Sequence, residues 1–198
     1  RYFVTASWRR DYAGRLPKEH NFGDFPAVTL GWKISNEKFF KKNDIVNLLK
    51  LRASWGRVGN LGSIGYNYKS ALLGKNYWSE QAQYGVESNK IWGNFVYNST
   101  ALNPNLTWET SEQWDLGLDV NMFDNRLSMA FDYFDKRTFN LIQSQTMNWP
   151  GTIGIDAMLV NQGEVRNRGF EAQINWNQQV NKDWSYFVSG NFSYLKNW

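Results

Sequence analysis

Seven stretches of the chain alternate apolar and polar side chains with a period of two, the pattern of a strand whose two faces meet different surroundings. The clearest is Leu48–Arg57, where Leu49, Leu51, Ala53 and Trp55 share one face and Lys50, Arg52, Ser54 and Gly56 the other. Before it, Tyr2, Val4, Ala6 and Trp8 alternate with Phe3, Thr5, Ser7 and Arg9 over 1–10. Val28, Leu30, Trp32 and Ile34 alternate with Ala27, Thr29, Gly31 and Lys33 over 25–35, where Pro26 is tolerated at a strand start. The pattern resumes at Trp108: Trp114, Leu116, Leu118, Val120 and Met122 oppose Gln113, Asp115, Gly117, Asp119 and Asn121 in a fourth strand. In the fifth, Leu127, Met129, Phe131 and Tyr133 oppose Ser128, Ala130, Asp132 and Phe134, with Phe134 an aromatic on the polar side. The sixth sets Phe170, Ala172, Ile174 and Trp176 against Glu171, Gln173, Asn175 and Asn177. The seventh turns Trp184, Tyr186, Val188, Phe192 and Tyr194 to the apolar side.

The connections alternate in length. Asp11–Asp24, Asn60–Thr107 and Phe139–Val165 are long; Asn36–Asn47 is a shorter amphipathic connector, and Phe123–Arg126 and Val180–Asp183 are tight turns. Long external loops and short periplasmic turns are the asymmetry of outer-membrane barrels, so odd-numbered strands are expected to rise outward and even-numbered ones to descend. In that orientation Trp8, Trp55 and Trp114 fall near the outer strand ends and Trp32, Trp176 and Trp184 near the periplasmic ends, as two aromatic girdles. The predicted fold is all-β: a partial transmembrane antiparallel β-barrel of about seven strands with long extracellular loops. Seven strands do not close as a bacterial single-chain barrel, and an open edge in lipid strands backbone groups at several kcal/mol each. The chain is therefore expected to be one piece, 1–198, of a larger barrel domain, cut near a loop despite its terminal Trp198.

Composition changes the picture little. Hydrophobic residues make up 42% and aromatic residues 17% of the chain, yet mean hydropathy is −0.59, the balance of strands with one face in lipid and one in water. No apolar run approaches the ~18–20 residues of a spanning helix, and no signal-peptide pattern opens the chain, so a mature or partial exported protein is expected. The absence of cysteine removes disulfides, thiolate metal sites and cysteine nucleophiles together. Net charge is +4, from 22 basic and 18 acidic residues scattered without the dense stripe of a nucleic-acid binder.

Candidate chemistry is sparse. His20 is the single histidine and sits in a loop without a partner to complete a catalytic or zinc set. No enzyme, cofactor or metal site is expected. Gly59, Gly62 and Gly65 lack the lysine and following helix of a phosphate cradle, and the sequons at Asn98, Asn105 and Asn191 are assigned nothing. Asp115, Asp119 and Asp132 fall on the polar faces beside Lys50 and Arg52, which predicts lumen-facing ion-pair ladders in preference to acid–base or calcium chemistry. In the long loop, Tyr66, Tyr68, Tyr77, Trp78, Tyr84, Trp92, Phe95 and Tyr97 stand among Asn, Gln, Ser and Lys. Ring faces among amides suit a sugar or peptide, while packing of the loop on itself or on a lid is the favoured reading over direct ligand contact.

The segments Phe25-Pro-Ala-Val-Thr-Leu-Gly-Trp-Lys-Ile-Ser, Leu49-Lys-Leu-Arg-Ala-Ser-Trp-Gly-Arg-Val-Gly-Asn and Val165-Arg-Asn-Arg-Gly-Phe-Glu resemble the C-terminal barrel of SusC/RagA-type TonB-dependent outer-membrane transporters. Ser7-Trp-Arg-Arg-Asp, Trp114-Asp-Leu-Gly-Leu-Asp and Phe131-Asp-Tyr-Phe-Asp-Lys-Arg-Thr are similar in the same order, so the resemblance covers the chain outside its two longest loops. It implies a 22-stranded barrel in a Gram-negative outer membrane, with a plug domain and a TonB-contacting region outside this chain. It further implies a SusD-like surface lipoprotein as lid and active import of oligosaccharides or peptides. Two alternatives stand beside it. A soluble β-sheet carbohydrate-binding module would bury Trp32, Trp55 and Trp176 between two layers; a plug-less adhesin barrel would keep them lipid-facing.

Overall fold

The computed structural model describes residues 1–41, 45–62, 64, 75–84, 91–97, 100–146, 148 and 157–198, with backbone alone for 75–84, 91–97 and 100. Twelve strands follow along the described residues: β1 Tyr2–Tyr12, β2 Phe22–Lys33, β3 Val46–Asn60, β4 Lys75–Tyr84, β5 Ile91–Tyr97, β6 Thr100–Ala101, β7 Glu109–Met122, β8 Leu127–Phe139, β9 Ile142–Thr146, β10 Ala157–Asn161, β11 Glu164–Gln179 and β12 Ser185–Asn197. The seven long ones form one antiparallel sheet in the order β1-β2-β3-β7-β8-β11-β12. These are the seven alternating stretches, each beside its successor.

Register carries the period of two across the whole sheet. Tyr2 faces Trp32, Trp32 faces Leu51, and Leu51 faces Leu118, which faces Phe131, then Ala172 and Phe192. One residue along, Arg52 faces Gly117, which faces Asp132, then Glu171 and Ser193. One slip of register would exchange these two rows between faces. The apolar face stays uncovered: Leu51, Leu116, Phe131, Phe170 and Ile174 are each more than two-fifths exposed, so no second layer packs on them.

The strands run further toward the long connections than hydropathy indicates. β8 continues five residues past Phe134 to Phe139, and β3 three past Arg57 to Asn60. The geometry alternates as before there, but the apolar side turns charged: Asp135 and Arg137 follow Tyr133, and Arg57 follows Trp55. The long connections also hold short strands. β4 and β5 make a hairpin, and β10 pairs antiparallel with β9 and parallel with β6. Asn161 ties these segments to the sheet, its carboxamide bonding both backbone groups of Thr107, at 2.8 and 2.9 Å, and the carbonyl of Asn140 at 2.9 Å.

At the same end Ala13, Leu16, Phe25, Ile64, Leu106, Trp108 and Ile142 form the buried apolar cluster of the described residues. The β2–β3 ladder closes at Ala27–Gly56. Beyond it Phe25 turns edge-on to Trp108, with ring centroids 5.5 Å apart. The opposite end is spare. Phe123, Asp124 and Asn125 turn with φ of 55, 55 and 64°, a left-handed run that Asp and Asn tolerate better than most residues. At the last turn the Asn181 side chain accepts the N–H groups of Asp183 and Trp184 at 2.9 and 2.8 Å, an Asx turn. Trp184 stands just before β12 rather than within it.

Candidate functional site

The polar face carries a charged centre built across three strands. Arg52 on β3 donates to both carboxylate oxygens of Asp119 on β7, at 2.8–3.1 Å, and reaches Asp132 on β8 at 2.9 Å; the Lys50 ammonium stands 3.8 Å from Asp119. Gly117 is the seat of this arrangement. It lies between Arg52 and Asp132 in register, and a Cβ there would sit 2.7 Å from the guanidinium carbon. A side chain at Gly117 would have to displace the charged ends of Arg52 and Asp132. Asp115 stands apart from this centre, accepting from Ser54 Oγ at 2.8 Å and Gln113 Nε2 at 2.7 Å. Toward β12 the same face opens into a cleft of ≈ 350 Å³ bordered by Asp132, Glu171, Gln173, Asn191 and Ser193.

Phe134, the aromatic on the polar side, lies opposite Gly169 in register. A Cβ at Gly169 would come within 2.7 Å of its ring, so the ring covers the bare glycine backbone, the cross-strand rescue that lets a strand keep a glycine.

Of the six tryptophans singled out by position, Trp8, Trp32, Trp55, Trp114 and Trp176 stand on the apolar side of their strands, while Trp184 lies just before β12. Trp55 and Trp114 face each other across β3 and β7 with ring centroids 6.0 Å apart. Trp32 stacks on Tyr2 at 6.4 Å, and Trp176 lies 6.2 Å from Phe123. The apolar stretch shifts along the register between the first and the sixth strand of the sheet. On β1 it runs Tyr2–Trp8 and on β11 Phe170–Trp176, seven residues each. Trp8 lies two residues beyond Ala6, whose row runs through Val28 and Trp55 to Trp114. The row of Phe170 runs through Tyr133 to Leu116, two residues short of Trp114, so the upper limit moves four residues between β1 and β11. The lower limit moves equally, from Leu118, in the row of Trp32, to Met122, in the row of Trp176.

Glu37, in the connection after β2, accepts from Trp32 Nε1 at 3.2 Å and faces Arg1 at 3.6 Å. Desolvation alone would raise its carboxyl. The bonds from the Trp32 indole and the Tyr2 hydroxyl, with the charge of Arg1, outweigh that and hold it below the usual carboxylate range.

Of the loop aromatics, Tyr66 and Tyr68 lie outside the described residues. Tyr77, Trp78 and Tyr84 fall on β4, and Trp92, Phe95 and Tyr97 on β5. Backbone pairing sets Trp92 opposite Gln83 and Tyr97 opposite Lys75, and the register shifts between Asn76 and Gln81, where Tyr77 and Trp78 lie. A further feature escaped the hydropathy pattern: the charged extension of the apolar side past its tryptophans. Its signal is charge at every second position, Asp135-x-Arg137 and Glu164-x-Arg166-x-Arg168.

A family profile described as TonB dependent receptor-like, beta-barrel matches residues 1–198. SusC, a TonB-dependent receptor of Bacteroides thetaiotaomicron, is 33% identical over 202 residues, covering 100% of this chain and 19% of its own length. TonB-dependent receptor P3 of Formosa agariphila is 33% identical over 197 residues, again 100% of this chain and 19% of the relative. Among solved structures, the RagAB peptide importer in its open-open state superposes with a TM-score of 0.74 at 26% identity, over 99% of this chain and 20% of that one. The siderophore receptor PirA of Pseudomonas aeruginosa, at 19% identity and a TM-score of 0.54, shares the fold. The chain thus spans about a fifth of the length of these curated relatives. Its sheet is an unclosed part of a TonB-dependent barrel, and the chain belongs to the TonB-dependent receptor-like β-barrel family.

Proposed function

We propose that the chain is part of the barrel of an outer-membrane TonB-dependent importer that takes up a polar nutrient, an oligosaccharide or a peptide, without catalysis. The observation that carries this reading is the uncovered apolar band whose two limits, seven residues apart on both β1 and β11, step four residues along the register between those strands. Four residues at ~3.4 Å rise, over five strand spacings of ~4.8 Å, slope by roughly 30°, close to the tilt of barrel strands in a bilayer. A soluble layered module has no reason to keep such a band, and the exposure of Leu51, Leu116 and Phe131 speaks against the buried faces it requires. Kinship with SusC and with the RagAB importer supports import over adhesion.

In this reading Arg52, Asp119, Asp132 and Lys50 face the lumen and shape the field a solute meets, while the long connection that holds β4 and β5 supplies aromatics for ligand or lid. The partners are a SusD-like lipoprotein over the long loops and TonB from the periplasm, acting through regions beyond this chain. The test is native mass of the full protein extracted in mild detergent. A species several-fold above 23.2 kDa that depends on detergent and carries a lipoprotein is expected. A soluble species without detergent would end the barrel reading.

A further inference from the structure

Toward the long connections, β1 and β2 stay paired up to Tyr12–Phe22, β3 and β7 up to Asn60–Glu109, and β7 and β8 up to Thr110–Phe139. β2 and β3 part early. Their last rung is Ala27–Gly56, which leaves Phe22–Pro26 of β2 and Arg57–Asn60 of β3 with no ladder between them. Pro26 accounts for the break. It has no N–H, so its pairing with Trp8 is of the kind without hydrogen bonds, and its backbone turns toward β3, where it has nothing to donate. The ladder runs through the apolar band and ends one residue above the row of Ala6, Val28, Trp55 and Trp114. A missing ladder within lipid would strand backbone groups; above it, water satisfies them. Side chains close the gap instead. The Phe25 ring lies where a Cβ on Gly59 would stand, and edge-on to Trp108. Leu16, Leu106 and Ile64, all fully buried, complete the seal, and Arg15 Nη1 donates to the Ile64 carbonyl at 2.7 Å. Two polar atoms are shut into it. Asn21 Oδ1, on a residue whose backbone carbonyl accepts the N–H of Ala13 at 2.8 Å, and Trp108 Nε1 are buried with no hydrogen-bond partner among the described residues.

Resting on the barrel reading above, we infer that this seam is a gate in the rim: the long-loop ends of β1 and β2, with residues 13–21 between them, part from β3 at the Phe25–Trp108 contact and pivot at Ala27–Gly56, while the wall within the lipid stays shut. Opening breaks no rung, because none crosses the seam. It exposes the apolar cluster, which favours the closed state, and it gives Asn21 Oδ1 and Trp108 Nε1 the water they lack when shut, which favours the open one. The opposed terms keep both states within reach. A seam such as β3–β7, paired to its end, would have to give up backbone hydrogen bonds to move, so the movement is confined to β2–β3. A solute arriving from the long-loop side meets a mouth whose width this seam sets.

The experiment measures distances between nitroxide pairs in the full-length protein, held in phosphatidylcholine nanodiscs and carrying no other cysteine. One pair, Phe22→Cys with Lys136→Cys, spans the seam; a second, Lys33→Cys with Gln173→Cys, spans the wall below it. The seam pair is expected to give two distances, the longer one in the minority. Trp108→Ala, which removes the ring that Phe25 meets, is expected to raise the ratio of longer to shorter by about tenfold or more, the scale of a lost core ring. Asn21→Leu, which exchanges the unmet acceptor for an apolar group of similar size, is expected to lower it. The second pair is expected to keep one distance throughout. A single seam-spanning distance in all three proteins, a ratio that Asn21→Leu leaves unchanged, or movement of the second pair along with the first would each overturn the gate. In those cases an inserted protein keeps the barrel reading, whereas a protein that is soluble without detergent overturns both.

Discussion

Leu51 and Arg52 are neighbours on β3, and different forces hold them in place. Arg52 is fixed by partners: two carboxylates from two other strands and a glycine that makes room. Leu51 has apolar neighbours in register, Trp32 and Leu118, and two-fifths of its surface stays open. The polar face is specified by pairs, each replaceable only together with its mate. The apolar face is specified by what surrounds the sheet, and almost any apolar side chain satisfies it. Sensitivity to a substitution should therefore follow its chemical class on one face and its exact partner on the other.

The largest effect expected is from Leu51→Arg. A charge on a lipid-facing strand near the midplane costs ~2–4 kcal/mol, enough to remove most assembled protein from the membrane fraction, whereas Leu51→Met stays within about 1.5 kcal/mol. Heat-modifiable mobility of the full protein reads both. If Leu51→Arg assembles as well as wild type, the apolar face does not meet lipid and the contrast collapses.

Gly117→Val comes next. Its side chain would occupy the space of the Arg52 guanidinium, and overpacking of this kind costs ~1–3 kcal/mol. Arg52→Ala follows at about 1–2 kcal/mol, toward the low side for a charged hydrogen bond because each partner is partly exposed. The pair specification is read by a double-mutant cycle: Arg52→Ala with Asp119→Asn should cost less than the sum of the two single changes. Strict additivity would show that the polar face tolerates any polar residue, as the apolar face tolerates any apolar one.

The same contrast explains what was legible in the sequence. Alternation made all seven long strands readable from Tyr2 to Tyr194, and Phe123–Arg126 and Val180–Asp183 carried their own turn chemistry. Strand ends were lost where the outward side changed from apolar to ionic, at Asp135, Arg57 and Glu112, because hydropathy stops alternating there while geometry does not. β6, β9 and β10 are too short for a period, and β6 finds β10 across more than fifty residues, Thr100 beside Ala157. Of the polar centre, its cations and carboxylates could be read from strand parity. The exclusion of Asp115 could not, since it turns on Ser54 and Gln113 standing nearer than Arg52. Gly117 as a seat for the guanidinium became visible only once register was known.

The smallest expected effect concerns Glu37, where the two faces meet at the short-turn end. Its carboxyl is held below the ordinary value by Trp32, Tyr2 and Arg1, so the folded state binds its proton less readily than the unfolded chain. That stability is present in full above the unfolded carboxylate value of about 4 and is lost as pH falls through the lower folded value. Glu37→Gln should therefore narrow the difference in unfolding temperature between neutral and acidic buffer, with wild type and variant converging in acid. A constant offset at every pH would mean that Glu37 acts through packing alone, and that this corner of the sheet is held as Leu51 is and not as Arg52 is.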